Sequence, residues 1–488
     1  MPPAIREARQ PTKELMETKH TGIELMETGR VSTAIIKLAL PMLAALLAQA
    51  LYNMTDVFFI GKTGDTNMVA AVSLAFPLFM LAQAIGNIFA VGASSYISRK
   101  LGEKDHDEAK RTSAVSFYAA IGIGLLMTAA IFAFKEPILW MVGASKDTFS
   151  HTDNYFSVLA AFMPLAAASA SMSGQMRSEG ATQKAMTLQL IGIVLNIILD
   201  PILILGCNMG TAGAGWATVA GWVVSFAYGI RYFLSKETAL SIAPKDFLPN
   251  KKMVADVLSI GVPAGINAMV MSISNILSNR ISASYGDHVV AGFGIQMRVV
   301  SVVFMMVFAL VLGYQPFAGY NYGAKQFVRL RKGFKLTLLY ATGLCLSWSV
   351  ILGIFGDSFL GFFVNDAKTV EAGKAILDPF LWALPFIGPQ ITLMVSFQAL
   401  GKPLQAMVIT LGRQLLFFLP LLYLLNYLFG FRGFVWAQPA AEMLNTGTAI
   451  LMGLSLIKLM RDDGNHTALI RHRPPTSFAA WFRRWLSK

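Results

Sequence analysis

Long apolar stretches separated by short polar segments recur along nearly the whole sequence. Each stretch is 20 residues or more, the length that an α-helix needs to cross the hydrocarbon core of a bilayer. The pattern therefore predicts an all-α integral membrane protein with twelve transmembrane helices. We place them at 34–60, 69–98, 112–134, 152–175, 185–206, 214–234, 254–283, 289–320, 334–356, 372–398, 405–428 and 433–457.

The second half of the sequence repeats the first at a displacement near 222 residues. Matches in glycine, proline, lysine and tryptophan keep the same order, and they include Pro41 with Pro263, Gly64 with Gly286, Gly102 with Gly323, Lys104 with Lys325, Pro164 with Pro385, Gly180 with Gly401 and Trp216 with Trp436. Because each repeat holds six spans, an even number, the two halves share one orientation about a pseudo-twofold axis along the membrane normal.

The repeat also predicts the domain organisation. We expect an N-lobe of six helices at 34–234 and a C-lobe of six helices at 254–457, joined by a polar linker at 235–253. A segment at 1–33 and a basic tail at 458–488 flank the lobes. Parallel repeats around a central cleft are typical of some secondary transporters that work by alternating access.

Composition and charge exclude a soluble protein and set an orientation. The chain is 55% hydrophobic and only 14% charged, yet its formal net charge is +13. Of its 40 Lys and Arg residues, 30 lie on the side of the termini, 6 in the opposite loops and 4 within predicted spans. The positive-inside rule then predicts that both termini and the linker are cytoplasmic. The excess charge is a topology signal, so we expect no nucleic-acid partner.

Acidic residues inside predicted spans are rare and are candidates for function. The first half carries Asp56 and Asp200, and spacing of four residues puts Tyr52 and Asn196 on the same helix faces. At 1.5 Å per residue, Asp56, Asp200 and Thr218 lie roughly 7–10 Å below the outer ends of their helices. Their common depth predicts one oxygen-rich site for the coupling ion, a proton or Na⁺. Two nearby carboxylates repel, so ion binding would let the helices repack.

Other polar residues in the spans have weaker assignments. Pro201 breaks the helix directly after Asp200 and is a hinge candidate. In the second half, Glu442 can neutralise Arg413 as a structural pair between adjacent helices. Alternatively, Glu442 faces the central cleft and attracts cationic substrates. Arg298 is a further candidate for the cleft or for a charge pair.

The sequence contains no phosphate-binding loop, nucleophile–base pair or metal-ligand cluster of an enzyme. We therefore expect neither an enzyme nor a cofactor beyond the coupling ion. A membrane receptor or scaffold remains an alternative, which predicts that Asp56→Asn and Asp200→Asn leave function intact.

Motifs in several helices carry a resemblance to a known family. They are Leu40-Pro41, Asp56-Val57-Phe58-Phe59-Ile60-Gly61, Asn196-x-x-Leu199-Asp200-Pro201 and Gly319-Tyr320-Asn321-Tyr322-Gly323-Ala324-Lys325. With the duplication, the chain resembles the MATE (multidrug and toxic compound extrusion) transporters over roughly residues 24–460.

The resemblance implies an antiporter in the cell membrane, of bacterial type and monomeric. Such a protein exports amphipathic, often cationic drugs or toxic organic compounds in exchange for H⁺ or Na⁺. In the branch with an N-lobe ion site, the cation-binding positions fall on Tyr52, Asp56, Asn196, Asp200 and Thr218. Another branch uses acids in helices 7 and 10, which this chain does not match. A flippase of lipid-linked precursors in the same superfamily remains an alternative, for which Arg298 and Arg413 are the support.

Overall fold

The structure is a computed structural model that describes residues 21–364 and 366–461. The side chains at 21, 53, 54, 56, 57, 76 and 457–461 are not part of the description. The predicted N-terminal segment up to residue 20 and the predicted tail from residue 462 therefore lie outside the described residues.

The first bundle begins with a short helix and contains six long ones. The short helix is α1 (Thr21–Glu27). The rest of the bundle comprises α2 (Val31–Gly61), α3 (Thr66–Gly102), α4 (His106–Ala133), the short α5 (Lys135–Met141), α6 (Phe149–Ser178), α7 (Thr182–Asp200) and α8 (Gly210–Leu234). Helix α7 continues into a π-helical segment, Pro201–Gly206. After α8, a connection with a 3₁₀ turn at Pro244–Asp246 leads to the second bundle.

The second bundle repeats this arrangement with α9 (Lys251–Ala283), α10 (Asp287–Gly323), α11 (Phe327–Gly361), α12 (Ala367–Ala399), α13 (Pro403–Leu411), α14 (Leu419–Phe429) and α15 (Phe431–Arg461). A π-helical segment, Gly412–Phe418, joins α13 to α14 as one broken helix. Among the described residues, eleven helices are long and apolar enough to cross a membrane. With α15 they form the twelve-helix fold predicted from the sequence.

All twelve predicted spans coincide with helices, but most of the helices are longer. Helix α3, for example, covers Thr66–Gly102, whereas its apolar run covers 69–98. Polar side chains hold such ends in place: Asp65 accepts a hydrogen bond from the Asn67 backbone N–H at 2.8 Å and caps the helix. An apolar run marks the part of a helix that lipid surrounds, while hydrogen bonding continues beyond it.

The backbone repeats as the sequence does. Positive φ angles occur at Gly64 and Gly286, Lys104 and Lys325, Gly180 and Gly401, and Gly210 and Gly430, which are four pairs of corresponding positions. Left-handed backbone is unusual for lysine, so its presence at both members of a pair is informative. The two bundles therefore share their helix connections as well as their helices.

The bundles meet at one end of the molecule. We call it the basic end; it is the end at which α3, α6, α8, α10 and α12 finish, and the opposite end is the far end. A Cβ atom at Gly102 would collide with the Tyr320 carbonyl oxygen, and one at Gly323 would collide with the Arg99 carbonyl oxygen. The Lys104 ammonium donates to the Tyr320 hydroxyl at 2.9 Å. These reciprocal contacts between α3 and α10 close the space between the bundles at the basic end.

Candidate functional site

A cavity of about 510 Å³ lies between the two bundles, and both contribute to its wall. The wall is rich in small apolar residues and carries four aromatic ones, Tyr52, Phe79, Trp222 and Phe308. Its described charged residues are two arginines, with no carboxylate among them. Amide side chains are frequent, and they include Gln49, Gln83, Asn87, Asn267, Gln390 and Gln398. The cavity can thus hold a molecule with apolar, aromatic and hydrogen-bonding parts.

Four of the five residues predicted to form the ion site are in contact in the first bundle. The Asn196 amide nitrogen donates to Asp200 Oδ1 at 3.3 Å and to Thr218 Oγ1 at 3.3 Å. The Thr218 hydroxyl also lies 3.4 Å from the Tyr52 hydroxyl. The cluster joins α2, α7 and α8, and its side chains are between 0% and 8% exposed. Tyr52, Asn196 and Thr218 line the cavity, while Asp200 lies behind them.

The chemistry of this cluster suits a hard cation. Its potential ligand atoms are the carboxylate, amide, hydroxyl and phenol oxygens of four buried residues. Both contacts of the Asn196 amide are made by its nitrogen, and its Oδ1 has no hydrogen-bond partner among the described residues. A buried carbonyl oxygen without a donor is unfavourable on its own and would be satisfied by a cation or a protonated group.

Asp56, the fifth predicted residue, lies on α2 one helical turn after Tyr52, and its side chain is outside the described part of the structure. The hinge candidate Pro201 starts the π-helical segment directly after Asp200. π-helical turns are frequent at functional sites because they interrupt the regular hydrogen-bond ladder. The backbone next to the buried carboxylate is therefore irregular, as the position of the proline suggested.

In the second bundle, Arg413 and Glu442 form an ion pair. Arg413 Nε donates to Glu442 Oε1 at 2.7 Å, and Gln438 donates to the same oxygen at 2.8 Å. The Arg413 guanidinium also lies 4.7 Å from the centre of the Phe304 ring. Glu442 is fully buried and does not line the cavity, whereas Arg413 does. The pair thus has the geometry of a structural contact between neighbouring helices.

Arg298 lies elsewhere. It is exposed on α10, outside the cavity wall, and among the described residues it has no carboxylate within ion-pair distance. The structure brings it together with neither Arg413 nor the cluster in the first bundle.

Sequence reasoning missed a polar stripe along α6. Arg177 lies outside the predicted span 152–175, but the structure places it in the last turn of α6, where it lines the cavity with Ser169 and Ser173. The sequence does indicate this stripe, because Ser169, Ser173 and Arg177 are spaced four residues apart and so lie on one helix face. The apolar run had ended before Arg177, so the hydropathy pattern assigned it to the loop.

Comparison with known proteins gives consistent results for sequence and structure. The model of the MatE family matches residues 41–202 and 263–424, so the second match begins 222 residues after the first, the displacement of the sequence repeat. The multidrug export protein MepA of Staphylococcus aureus is 30% identical over 446 residues, covering 91% of this chain and 97% of the relative. MepA of Staphylococcus saprophyticus is 29% identical over 444 residues, with the same coverage of both chains.

Solved structures share the fold. The outward-facing structure of a multidrug resistance MATE family transporter of the MOP superfamily superimposes with a TM-score of 0.84 at 24% identity, covering 91% of this chain and 99% of the other. A MOP superfamily transporter from Pyrococcus furiosus superimposes with a TM-score of 0.83 at 24% identity and the same coverage. The likeness extends over both bundles.

Proposed function

The chain belongs to the MatE family, and on that premise we propose that it is a secondary active antiporter of the cell membrane. It exports amphipathic organic compounds, cations among them, in exchange for H⁺ or Na⁺ by alternating access. The observation that carries the proposal is the buried cluster of Tyr52, Asn196, Asp200 and Thr218 at the cavity wall. A carboxylate inside the membrane has a high free-energy cost and usually marks a site at which an ion binds.

The coupling follows from the surroundings of Asp200. Its Oδ1 accepts a hydrogen bond from the neutral Asn196 amide, a contact that an incoming ion can replace. A proton or Na⁺ neutralises the carboxylate and changes which atoms Asn196 and Thr218 can contact. Because these residues join α7 and α8, and the π-helical segment follows Asp200, the change is transmitted to the packing of both helices.

The orientation of the chain and the contacts between its bundles support a state in which the cavity opens on the side away from the cytoplasm. The positive-inside rule puts the basic end in the cytoplasm. At that end the contacts of Gly102 with Tyr320 and of Gly323 with Arg99 keep the bundles together. Among the described residues, the hydrogen bonds between the bundles lie at this end, where Ser95 donates to the Gln398 carbonyl and Lys104 to Tyr320. Alternating access requires that these contacts separate when the far end closes.

Dye efflux from proteoliposomes tests this proposal. Vesicles hold ethidium or a rhodamine carboxylate, and the outside is made acidic or rich in Na⁺. A gradient of about two pH units supplies about 2.7 kcal/mol per proton, so one of the two gradients should accelerate efflux roughly tenfold or more. Asp56→Asn and Asp200→Asn should remove the acceleration. Asp107→Asn, an identical change at an exposed helix start, is the matched control and should keep it.

Two results would contradict the proposal. If neither gradient accelerates the efflux of either dye from vesicles with the native protein, antiport of this substrate class is wrong. If both Asn variants retain the acceleration, the site of coupling is elsewhere, which is also the result that a receptor or scaffold predicts.

A second candidate, flipping of a lipid-linked precursor, is favoured by the two arginines on the cavity wall. Such a substrate is a lipid with an anionic headgroup. Its transfer between the two leaflets releases no soluble dye, so the efflux assay does not detect it. Fluorescent lipid transfer in the same vesicles, with both gradients, distinguishes the two functions.

A further inference from the structure

Arg177 is a buried cation without a carboxylate partner among the described residues. Its side chain is 7% exposed and lines the cavity near the basic end. One guanidinium nitrogen, Nη1, donates to the Ser173 hydroxyl at 3.0 Å, while Nε has no hydrogen-bond partner among the described residues. An uncompensated buried charge is strongly destabilising in general. An anion would therefore stabilise the Arg177 guanidinium, and the described residues supply none.

The other arginine of the wall lacks this property. Arg413 is neutralised by Glu442 at 2.7 Å, so it presents little net charge to the cavity. The field inside the cavity is thus positive at the end where Arg177 lies. The part of the cavity wall that the first bundle forms therefore has opposite charges near its two ends. The Asp200 carboxylate lies behind one end, and the Arg177 guanidinium lies at the other.

The neighbours of Arg177 add donors around the same point. Ser173 accepts a hydrogen bond from the Gln189 amide nitrogen at 2.9 Å, and all three side chains line the cavity. Gln189 lies seven residues before Asn196 on α7, a separation of about 10 Å along the helix. The Arg177 group and the proposed ion site therefore share a helix without sharing residues.

We propose that Arg177, Ser173 and Gln189 form a subsite for an anionic group of an amphipathic substrate, such as a carboxylate, sulfonate or phosphate. The planar guanidinium suits two parallel hydrogen bonds to such a group. The apolar or aromatic part of the molecule lies along Trp222 and Phe308, and a cationic part can stack on the same rings. The inference rests on the proposed export function and names its preferred substrates, which are zwitterionic or anionic amphiphiles.

Equilibrium binding to purified protein in phosphatidylcholine nanodiscs tests the subsite without any ion gradient. The probes are a rhodamine carboxylate and its methyl ester, which share the cationic ring system and differ only in the anionic group. Fluorescence anisotropy should show that the native protein binds the carboxylate roughly tenfold or more tightly than the ester. Arg177→Gln should remove this preference by weakening carboxylate binding while ester binding stays within about twofold.

The matched control is Arg298→Gln, the same substitution at an exposed arginine outside the cavity, which should keep the preference. Gln189→Leu removes one donor of the subsite, should reduce the preference about threefold, and serves if Arg177→Gln does not fold. The proposal is overturned if the native protein binds both dyes equally, or if Arg177→Gln weakens both dyes to the same extent.

Adding phosphatidylglycerol to the nanodiscs identifies the source of the anion. If a lipid headgroup occupies the subsite, carboxylate binding weakens about tenfold while ester binding does not, and if the subsite serves free amphiphiles, both affinities stay unchanged. Each result supports an anion subsite at Arg177. Because no gradient is applied, failure of the gradient-driven efflux leaves this binding preference standing, and loss of the preference leaves the coupling at Asp200 untouched.

Discussion

The two bundles share one fold but differ in the electrostatics of their buried polar groups. In the first bundle, Asp200 precedes a π-helical segment and accepts a hydrogen bond from the neutral Asn196 amide. In the second, Arg413 lies within the π-helical segment of the broken helix and is paired with Glu442. A carboxylate that accepts from a neutral amide can exchange that contact for a cation, whereas one paired with a guanidinium already has its cation. The repeat therefore preserves the architecture while its chemistry has diverged.

The largest expected effect is a difference in stability between variants of the two acids, Glu442 and Asp200. Glu442→Gln leaves the Arg413 charge buried without its counter-ion, so it should lower the free energy of unfolding by about 3–5 kcal/mol. Asp200→Asn keeps an oxygen that can still accept from the Asn196 amide, and should change stability by less than about 1 kcal/mol. Denaturation of the purified variants measures both.

The double variant Arg413→Gln, Glu442→Gln is the control for this comparison, since it removes both charges together. It should be much closer to the native protein in stability than Glu442→Gln alone. Equal tolerance of Glu442→Gln and Asp200→Asn would show that the two acids do not differ as described.

A pH dependence should be specific to the first bundle. Glu179 is buried after α6, and this burial raises its pKa from the usual 4.5 to about 7, although Tyr232, Thr238 and the Ala239 backbone N–H donate to it. A carboxyl whose pKa is raised on folding contributes its full stability below pH 4.5 and loses it as the pH rises through 7, by about 3 kcal/mol.

After correction for the faster intrinsic exchange at high pH, the protection of the backbone amides at 235–250 should therefore be lower at pH 8 than at pH 5.5. Glu179→Gln should flatten this dependence. The corresponding position of the second bundle is the buried Leu400, so the connection that follows it should show no comparable change. Protection of 235–250 that stays constant or increases towards pH 8 would contradict the assignment to Glu179.

Two buried threonines give a smaller and more selective test. Thr218 contacts Tyr52 and Asn196 in the cluster, and Thr446 donates to the Glu442 carbonyl at 2.8 Å on α15. Each change to valine should lower stability by about 1 kcal/mol because it removes a buried hydroxyl. Only Thr218→Val should also weaken the dependence of dye efflux on the coupling ion. An equal change in ion dependence for Thr446→Val would place coupling in both bundles.

The smallest effect is expected at Arg298. Its side chain is exposed and lies outside the cavity wall, so Arg298→Gln should change the free energy of unfolding by less than about 0.5 kcal/mol. Gradient-driven efflux should also persist. A loss of stability above about 1 kcal/mol would reveal an ion pair that the described residues do not include.

The helices and the repeat could be predicted from the sequence because both depend on local patterns. An apolar run defines a span, and glycine or proline at fixed displacements defines corresponding turns, as at Gly180 and Gly401. The contacts of Asn196 with Asp200 and Thr218 also followed, because helix spacing and membrane depth bring polar groups on neighbouring helices together. In the interior of the membrane, a polar side chain finds few hydrogen-bond partners other than polar side chains on neighbouring helices.

Other features depend on packing that no local pattern encodes. The π-helical segment at Gly412–Phe418 leaves the apolar periodicity unbroken, so it could not be seen in advance. Arg177 looked like a loop residue because the apolar run ends before it, yet α6 continues and the cavity reaches its last turn. Which polar residues face the cavity is set by the meeting of the two bundles, a contact between residues far apart in the chain.

The most direct test of the difference between the bundles is the ratio of dye efflux with the driving ion gradient to efflux without it. The ratio is measured side by side for the native protein, Asp200→Asn and the double variant Arg413→Gln, Glu442→Gln. We predict that Asp200→Asn reduces the ratio to about one, while the double variant keeps the native ratio even if its absolute rate falls. An unchanged ratio in Asp200→Asn, or a ratio of one in a folded double variant, would contradict coupling through the first bundle.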